Sequence, residues 1–346
     1  MSSLSVAIIG CGRMGTTIDD EVVGHPLHGK TPYSHAACYA AVEDTEMIAC
    51  SDVVEEKVER TKLRYGIPNG YSEYREMIEK EKPDIVSVTT RPVNHAEVVV
   101  FCAENGVKGI YCEKPLCCSM DEADAMLEAC EKNNVKFSYG TNRRYTPCHN
   151  LVRQLVKDGE IGDLRSVIMY SMGSAQWGLT HASDQLLFQS GDSEVEFVRG
   201  MAALEEDDFA GNRVDKDPSI LDGYVRFSNG VTGHLVGLSN WDVEVVGTKG
   251  RIRTVNDQGS IQMQRRQGQD GWLCDVDVPL YRNETGGVSC VRDLVEAIRN
   301  DGETKGNIRL SCRSQEIIIG WVESHRLGGQ KVELPIKNRS LYVSSG

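Results

Sequence analysis

Ser5-Val6-Ala7-Ile8-Ile9-Gly10-Cys11-Gly12-Arg13-Met14-Gly15 is the stretch whose reading decides the fold. Five residues of β-forming, mostly apolar sequence run directly into a G-x-G-x-x-G turn. That order predicts a buried strand, a tight turn and then a polar helix start, the opening of a doubly wound α/β sheet. Gly10 permits the turn, Gly12 lets backbone approach a pyrophosphate, and Gly15 lets helix and strand pack closely. With Arg13 and Met14 they form a candidate dinucleotide-binding turn whose anion rests on the amino end of the following helix.

Such a turn calls for an acidic residue at the end of the second strand. Glu46-Met47-Ile48-Ala49-Cys50-Ser51-Asp52 supplies it, but Asp52 comes later than the ~20 residues usual for this motif. The excess reads as an inserted loop over 18–34, containing Gly24, Pro26, Gly29 and Pro32. A carboxylate at Asp52 binds ribose hydroxyls and repels a 2′-phosphate, which favours NAD over NADP, while Arg13 leaves room for NADP. The insertion also carries His25, His28 and Lys30, a set without the accompanying ligands of a metal site.

Strand and helix patterns continue to alternate. Charge density over 53–64 and 74–82 suggests exposed helices, and Asp84-Ile85-Val86-Ser87-Val88-Thr89 reads as a buried strand. Thr90 and His95 follow it, and a helix stops at Gly106. Gly109-Ile110-Tyr111-Cys112 is the next strand and ends abruptly in Glu113-Lys114-Pro115. A lysine at the carboxyl end of a parallel strand stands at the ligand-binding edge of such sheets, and Pro115 restricts the backbone behind it. Val135 to Gly140 closes the first domain, placed at residues 1–142.

Residues 143–346 are expected to form a second, α+β domain. Strands dominate it: 164–170, 195–200, 220–227, 231–238, 243–246, 251–255 and 261–265, with Ser228-Asn229-Gly230 as a hairpin turn. The pattern implies a large, mostly antiparallel open sheet covered by helices on one face. Thr180 opens a helix that carries His181 and Asp184 three residues apart. Helices near 288–300 and 314–326 complete the domain.

Composition narrows the function. Net charge is −13 and no basic run interleaves with aromatics, which argues against a nucleic-acid or anionic-membrane partner. Twelve cysteines lack any C-x-x-C pair, and several sit inside apolar patterns, as small buried hydrophobes do in a reducing compartment. The early first strand leaves no room for a secretion signal, and no apolar run approaches the ~20 residues of a membrane span, so a cytoplasmic protein is expected.

Taken together, Gly10-Cys11-Gly12-Arg13-Met14-Gly15, Thr90 with His95, Glu113-Lys114-Pro115, Arg143-Arg144-Tyr145, His181-x-x-Asp184 and Gly247-Thr248-Lys249-Gly250 resemble the glucose-fructose oxidoreductase / inositol dehydrogenase / rhizopine-catabolism (Gfo/Idh/MocA) oxidoreductases. The resemblance implies a Rossmann domain joined to an open-sheet domain, bound NAD(P), and a sugar, polyol or sugar-derivative substrate. It implies Lys114 and His181 as catalytic residues, and Asp184, Trp177, Arg144 and Tyr145 at the substrate. Thr90, His95 and Glu113 join Asp52 and the glycine turn at the cofactor. Many relatives carry Asp four residues before the histidine, where this chain has Trp177, whose indole could stack on a sugar ring. The implied activity is hydride transfer between a secondary alcohol or ketone and nicotinamide, in a homodimer or homotetramer built through the open sheet. A redox-neutral lyase, epimerase or glycosidase using tightly held NAD is the alternative, and a non-catalytic cofactor sensor is a third reading.

Overall fold

The computed structural model describes residues 2–24, 31–238, 240–268, 271–282 and 284–345. His25, His28 and Lys30 lie outside the described residues. Internal packing divides the chain into two units. The first comprises Met1–Cys117, Asp121–Tyr145 and Glu284–Cys312, and the second Cys118–Met120, Thr146–Asn283 and Arg313–Gly346. A single boundary after residue 142 does not express this division, because Glu284–Cys312 returns to the first unit.

Among the described residues, the first unit holds a six-stranded sheet of β1 (Leu4–Ile9), β2 (Thr45–Ser51), β3 (Asn69–Tyr71), β4 (Ile85–Val88), β5 (Gly109–Cys112) and β6 (Lys136–Tyr139). Its order is β3-β2-β1-β4-β5-β6 and every pairing is parallel. This is the doubly wound dinucleotide-binding order, with its switch point between β1 and β4. Strands covered on both faces need continuous apolar sequence, and Val6, Ile8, Ile85, Val86 and Ile110 are completely buried. Each such side chain contributes roughly 1.5–3 kcal/mol by leaving water.

The helical segment after the glycine turn is interrupted, in keeping with the insertion over 18–34. A five-residue π-type turn, Arg13–Thr17, is followed by the short helix Asp19–Val22, and a further helix runs over His35–Ala40. Asp19 ties this break together: its carboxylate accepts the Tyr33 and Ser34 N–H groups at 2.6 and 3.0 Å. Helix Gly286–Asn300 buries Val288, Val291, Leu294 and Val295 in one cluster with Val6, Tyr39, Ile85 and Tyr111.

The second unit contains β7 (Leu164–Tyr170), β8 (Val195–Ala202), β9 (Arg213–Val214), β10 (Ile220–Phe227), β11 (Thr232–Val236), β12 (Asp242–Gly247), β13 (Gly250–Val255), β14 (Ser260–Gln267), β15 (Trp272–Val276), β16 (Val332–Glu333) and β17 (Tyr342–Val343). Nine of those described form one sheet in the order β15-β14-β13-β12-β7-β11-β10-β8-β16, and β17 pairs with β9. All pairings in the large sheet are antiparallel except β11 with β7. The hairpin turn falls where its sequence places it, with Gly230 at φ +86° and the Asn229 side chain accepting the Val231 N–H. Trp321 anchors helix Ile308–Arg326 on this sheet. It is fully buried, and a Cβ at Gly200 or Gly223 would come within 2.6 or 2.8 Å of it. Among the described residues, no helix is long and apolar enough to cross a membrane.

Candidate active site

The glycine turn has the shape a pyrophosphate needs. Gly10 sits at φ +99°, where an added Cβ would meet Thr89 O at 2.7 Å, and a Cβ on Gly15 would meet Gly10 O at 2.2 Å. Those two glycines are filled in from behind by the chain itself. Gly12 differs, since its Cβ would meet nothing within 4 Å. The turn is therefore packed on one side and open in front of Gly12, the arrangement that lets a ligand approach backbone.

Asp52 stands at the end of β2 beside this turn. Its Oδ2 accepts the Cys11 N–H at 2.9 Å and its Oδ1 accepts the Val54 N–H at 2.9 Å. A carboxylate has about four lone-pair positions, so these two bonds fix its orientation and leave acceptor capacity for ribose hydroxyls. Arg13 is exposed and its guanidinium pairs with Glu21 at 2.7 Å. Met14 is half-buried in the same turn. The residues present fit a dinucleotide.

At the end of β5, Lys114 is half-buried and Glu113 is buried. Both Glu113 carboxylate oxygens are engaged: Oε1 accepts from His35 Nε2 at 3.0 Å and Oε2 accepts the Lys114 N–H at 3.1 Å. Burial pushes the Glu113 carboxyl up, but the His35 hydrogen bond, with the His35 and Lys114 charges, draws it below its ordinary range. Glu113 is thus held by contacts within the first unit.

His95 is likewise buried. One ring nitrogen lies 3.0 Å from Pro115 O and the other 3.1 Å from Thr90 O, so the ring braces the Thr90 loop against the chain just after Lys114. Burial lowers its proton affinity. Arg144 and Tyr145 pack inside the first unit. Arg144 is fully buried and donates to Lys305 O at 3.2 Å, and Tyr145 belongs to the cluster around helix Gly286–Asn300.

In the second unit, helix Thr180–Gln189 carries half-buried His181 and buried Asp184. The His181 ring meets Trp241 edge to face, with centroids 5.9 Å apart. Trp177 is 43% exposed, and its indole N–H donates to Ser345 O. The segment before the helix is held by a residue that sequence reasoning did not single out. Asp217 accepts the N–H groups of Gln176 and Trp177 at 2.8 and 3.0 Å. Gln176 in turn donates to Val343 O at 3.0 Å and accepts from Gln315 at 2.8 Å. These partners lie far from position 177 in sequence, and the pairing of β17 with β9 and the bridge between Ser174 and Ser219 help bring them near. Among the described residues, no cluster of His, Cys, Asp and Glu could hold a metal.

Residues 4–141 match the family model described as "Oxidoreductase family, NAD-binding Rossmann fold". The chain is 27% identical over 289 residues to myo-inositol 2-dehydrogenase of Thermotoga maritima, covering 78% of this chain and 80% of that one. It is 24% identical over 267 residues to scyllo-inositol 2-dehydrogenase (NAD(+)) of Bacillus subtilis, covering 71% and 72%. In fold it is similar to levoglucosan dehydrogenase in complex with NADH and levoglucosan, with a TM-score of 0.77 at 19% identity over 96% of this chain and 100% of that one. The glycine turn and the strand order agree with that match: over residues 4–141 the chain is similar to the oxidoreductase family with an NAD-binding Rossmann fold.

Proposed function

We propose that the protein is an NAD-dependent dehydrogenase that oxidises a secondary alcohol of a sugar or cyclitol, or reduces the matching ketone. The observation that carries this reading is a half-buried lysine, Lys114, at the carboxyl end of a strand in the same parallel sheet that forms the glycine cradle. Gly10, Gly12, Gly15 and Asp52 would hold the dinucleotide, whose nicotinamide supplies the hydride acceptor or donor when bound. Lys114 hydrogen-bonds the reacting oxygen and takes or returns its proton. His181 serves as proton acceptor or relay, and Asp184 binds a substrate hydroxyl. Trp177 offers its face to a sugar ring. The Asp52 carboxylate favours NAD, since a 2′-phosphate would meet a like charge.

The relatives' names support the substrate class. The same reading places the enzyme in the cytoplasm and assembles it as a dimer or tetramer through the large sheet. Apolar Met201, Leu221 and Val236 are exposed on the neighbouring strands β8, β10 and β11.

A screen of cyclitols, sugars and anhydrosugars for reduction of NAD, with NADP in parallel, tests the reading. Reduced cofactor accumulating in proportion to product, and faster with NAD, is the expected result. Product formed without any reduced cofactor would replace it with the redox-neutral alternative, and absence of hydride exchange across the panel would point to a cofactor sensor.

A further inference from the structure

We propose that His35 and Glu113, backed by Ser87, form a buried couple that sets the charge state and position of Lys114. This rests on the reading of Lys114 as the proton-handling group, and it adds two positioning residues to the site. His35 opens the helix that resumes after the 18–34 insertion, and no sequence motif singled it out.

The couple is a continuous chain of contacts. Ser87 Oγ lies 2.5 Å from His35 Nδ1, His35 Nε2 lies 3.0 Å from Glu113 Oε1, and Glu113 Oε2 accepts the Lys114 N–H at 3.1 Å. His35 and Ser87 are no more than 1% exposed and Glu113 is 4% exposed, so the couple is closed to substrate and can act only through its neighbours. The His35 ring is held flat against Tyr111, with centroids 3.8 Å apart and an interplanar angle of 18°. The Tyr111 hydroxyl is itself anchored on Asn142 at 3.0 Å. Gly140 leaves the carboxylate its space, since a Cβ there would stand 3.0 Å from Glu113 Oε1.

A buried carboxylate without a function is costly, and a hydrophobic residue of similar size would serve the core as well. What Glu113 provides that an apolar residue cannot is a fixed negative charge one residue from Lys114. The other titratable groups that bear on Glu113 are His35 and Cys38 from helix His35–Ala40, Tyr111 and Cys112 from β5, His95 from helix His95–Glu104, and Lys114. Burial raises the Cys38, Cys112 and Tyr111 groups well above their ordinary values, so all three stay neutral at working pH. Burial lowers His95. Glu113 is therefore the negative charge in this set that acts on Lys114. The attraction between them is mutual: the charge that favours the carboxylate also favours the ammonium, and His35 holds the carboxylate in place to exert it.

Competitive labelling with acetic anhydride across pH, read at Lys114 by peptide mass spectrometry, tests this without any substrate. In Glu113→Gln, the labelling midpoint of Lys114 should fall by about one pH unit, as expected on loss of a neighbouring opposite charge. His35→Leu should lower it in the same direction, and His35→Gln, which keeps an amide donor for Oε1, should restore part of the shift. Thermal melting checks folding, and Ser87→Ala, a small change at the far end of the chain of contacts, serves if Glu113→Gln does not fold; it should give a smaller shift of the same sign. Midpoints within 0.2 unit of wild type in the folded variants overturn the couple. Lys114→Met separates this from the underlying reading. A shifted midpoint together with full activity of Lys114→Met would sink the catalytic role of Lys114 and leave the couple standing.

Discussion

Two strand ends of the parallel sheet carry the proposed chemistry of the first unit, and they are built in opposite ways. The end of β1 is made by leaving side chains out: Gly10 and Gly15 are pressed by neighbouring backbone, and Gly12 faces open space. The end of β5 is made by putting charge in, with Glu113 buried, held by His35, and followed at once by Lys114. The first site is a shape that any bulk at the wrong position destroys. The second is an electrostatic arrangement, which tolerates changes of volume better than changes of charge.

Replacing the glycines one at a time separates shape from ligand contact at the end of β1. Gly15→Ala should have the largest effect, because its methyl would lie 2.2 Å from Gly10 O. We expect a loss of about 2–3 kcal/mol, seen as a lower urea midpoint, together with loss of NAD binding. Gly12→Ala has room for its methyl and extended backbone at φ −85°. Its stability should stay within about 0.5 kcal/mol of wild type while NAD affinity falls about tenfold. Equal destabilisation by both would erase the distinction drawn between them. Asp52→Asn should act more gently, weakening NAD about fivefold and narrowing the preference over NADP, measured by fluorescence titration of both cofactors. An unchanged preference would remove Asp52 from cofactor selection.

The same contrast explains what the sequence reveals. The glycine turn, the β/α alternation and the end of β5 are legible because strand burial and tight turns impose residue types locally. The strand that leads to Asp52 is legible despite the insertion, since its apolar run is continuous. His35 is hidden because its partners, Ser87 and Glu113, are 52 and 78 residues away and meet only when β4 and β5 pair. Asp217 is hidden for the same reason, lying 41 and 40 residues from the two N–H groups it holds. The burial of Arg144 and Tyr145 is hidden too, because helix Gly286–Asn300 returns to the first unit from far along the chain, a packing event no local pattern announces. Edge elements such as β3, β9 and β17 are two or three residues long, too short for periodicity to register.

The proposed chemistry turns on Lys114, and one comparison tests that role most directly. Wild type and Lys114→Met should be titrated with NADH and then assayed for hydride transfer with a substrate found in the screen. NADH affinity should remain within about twofold, while kcat falls by about a thousandfold, the scale of a lost acid–base group. A Lys114→Met enzyme that keeps its kcat would contradict the account.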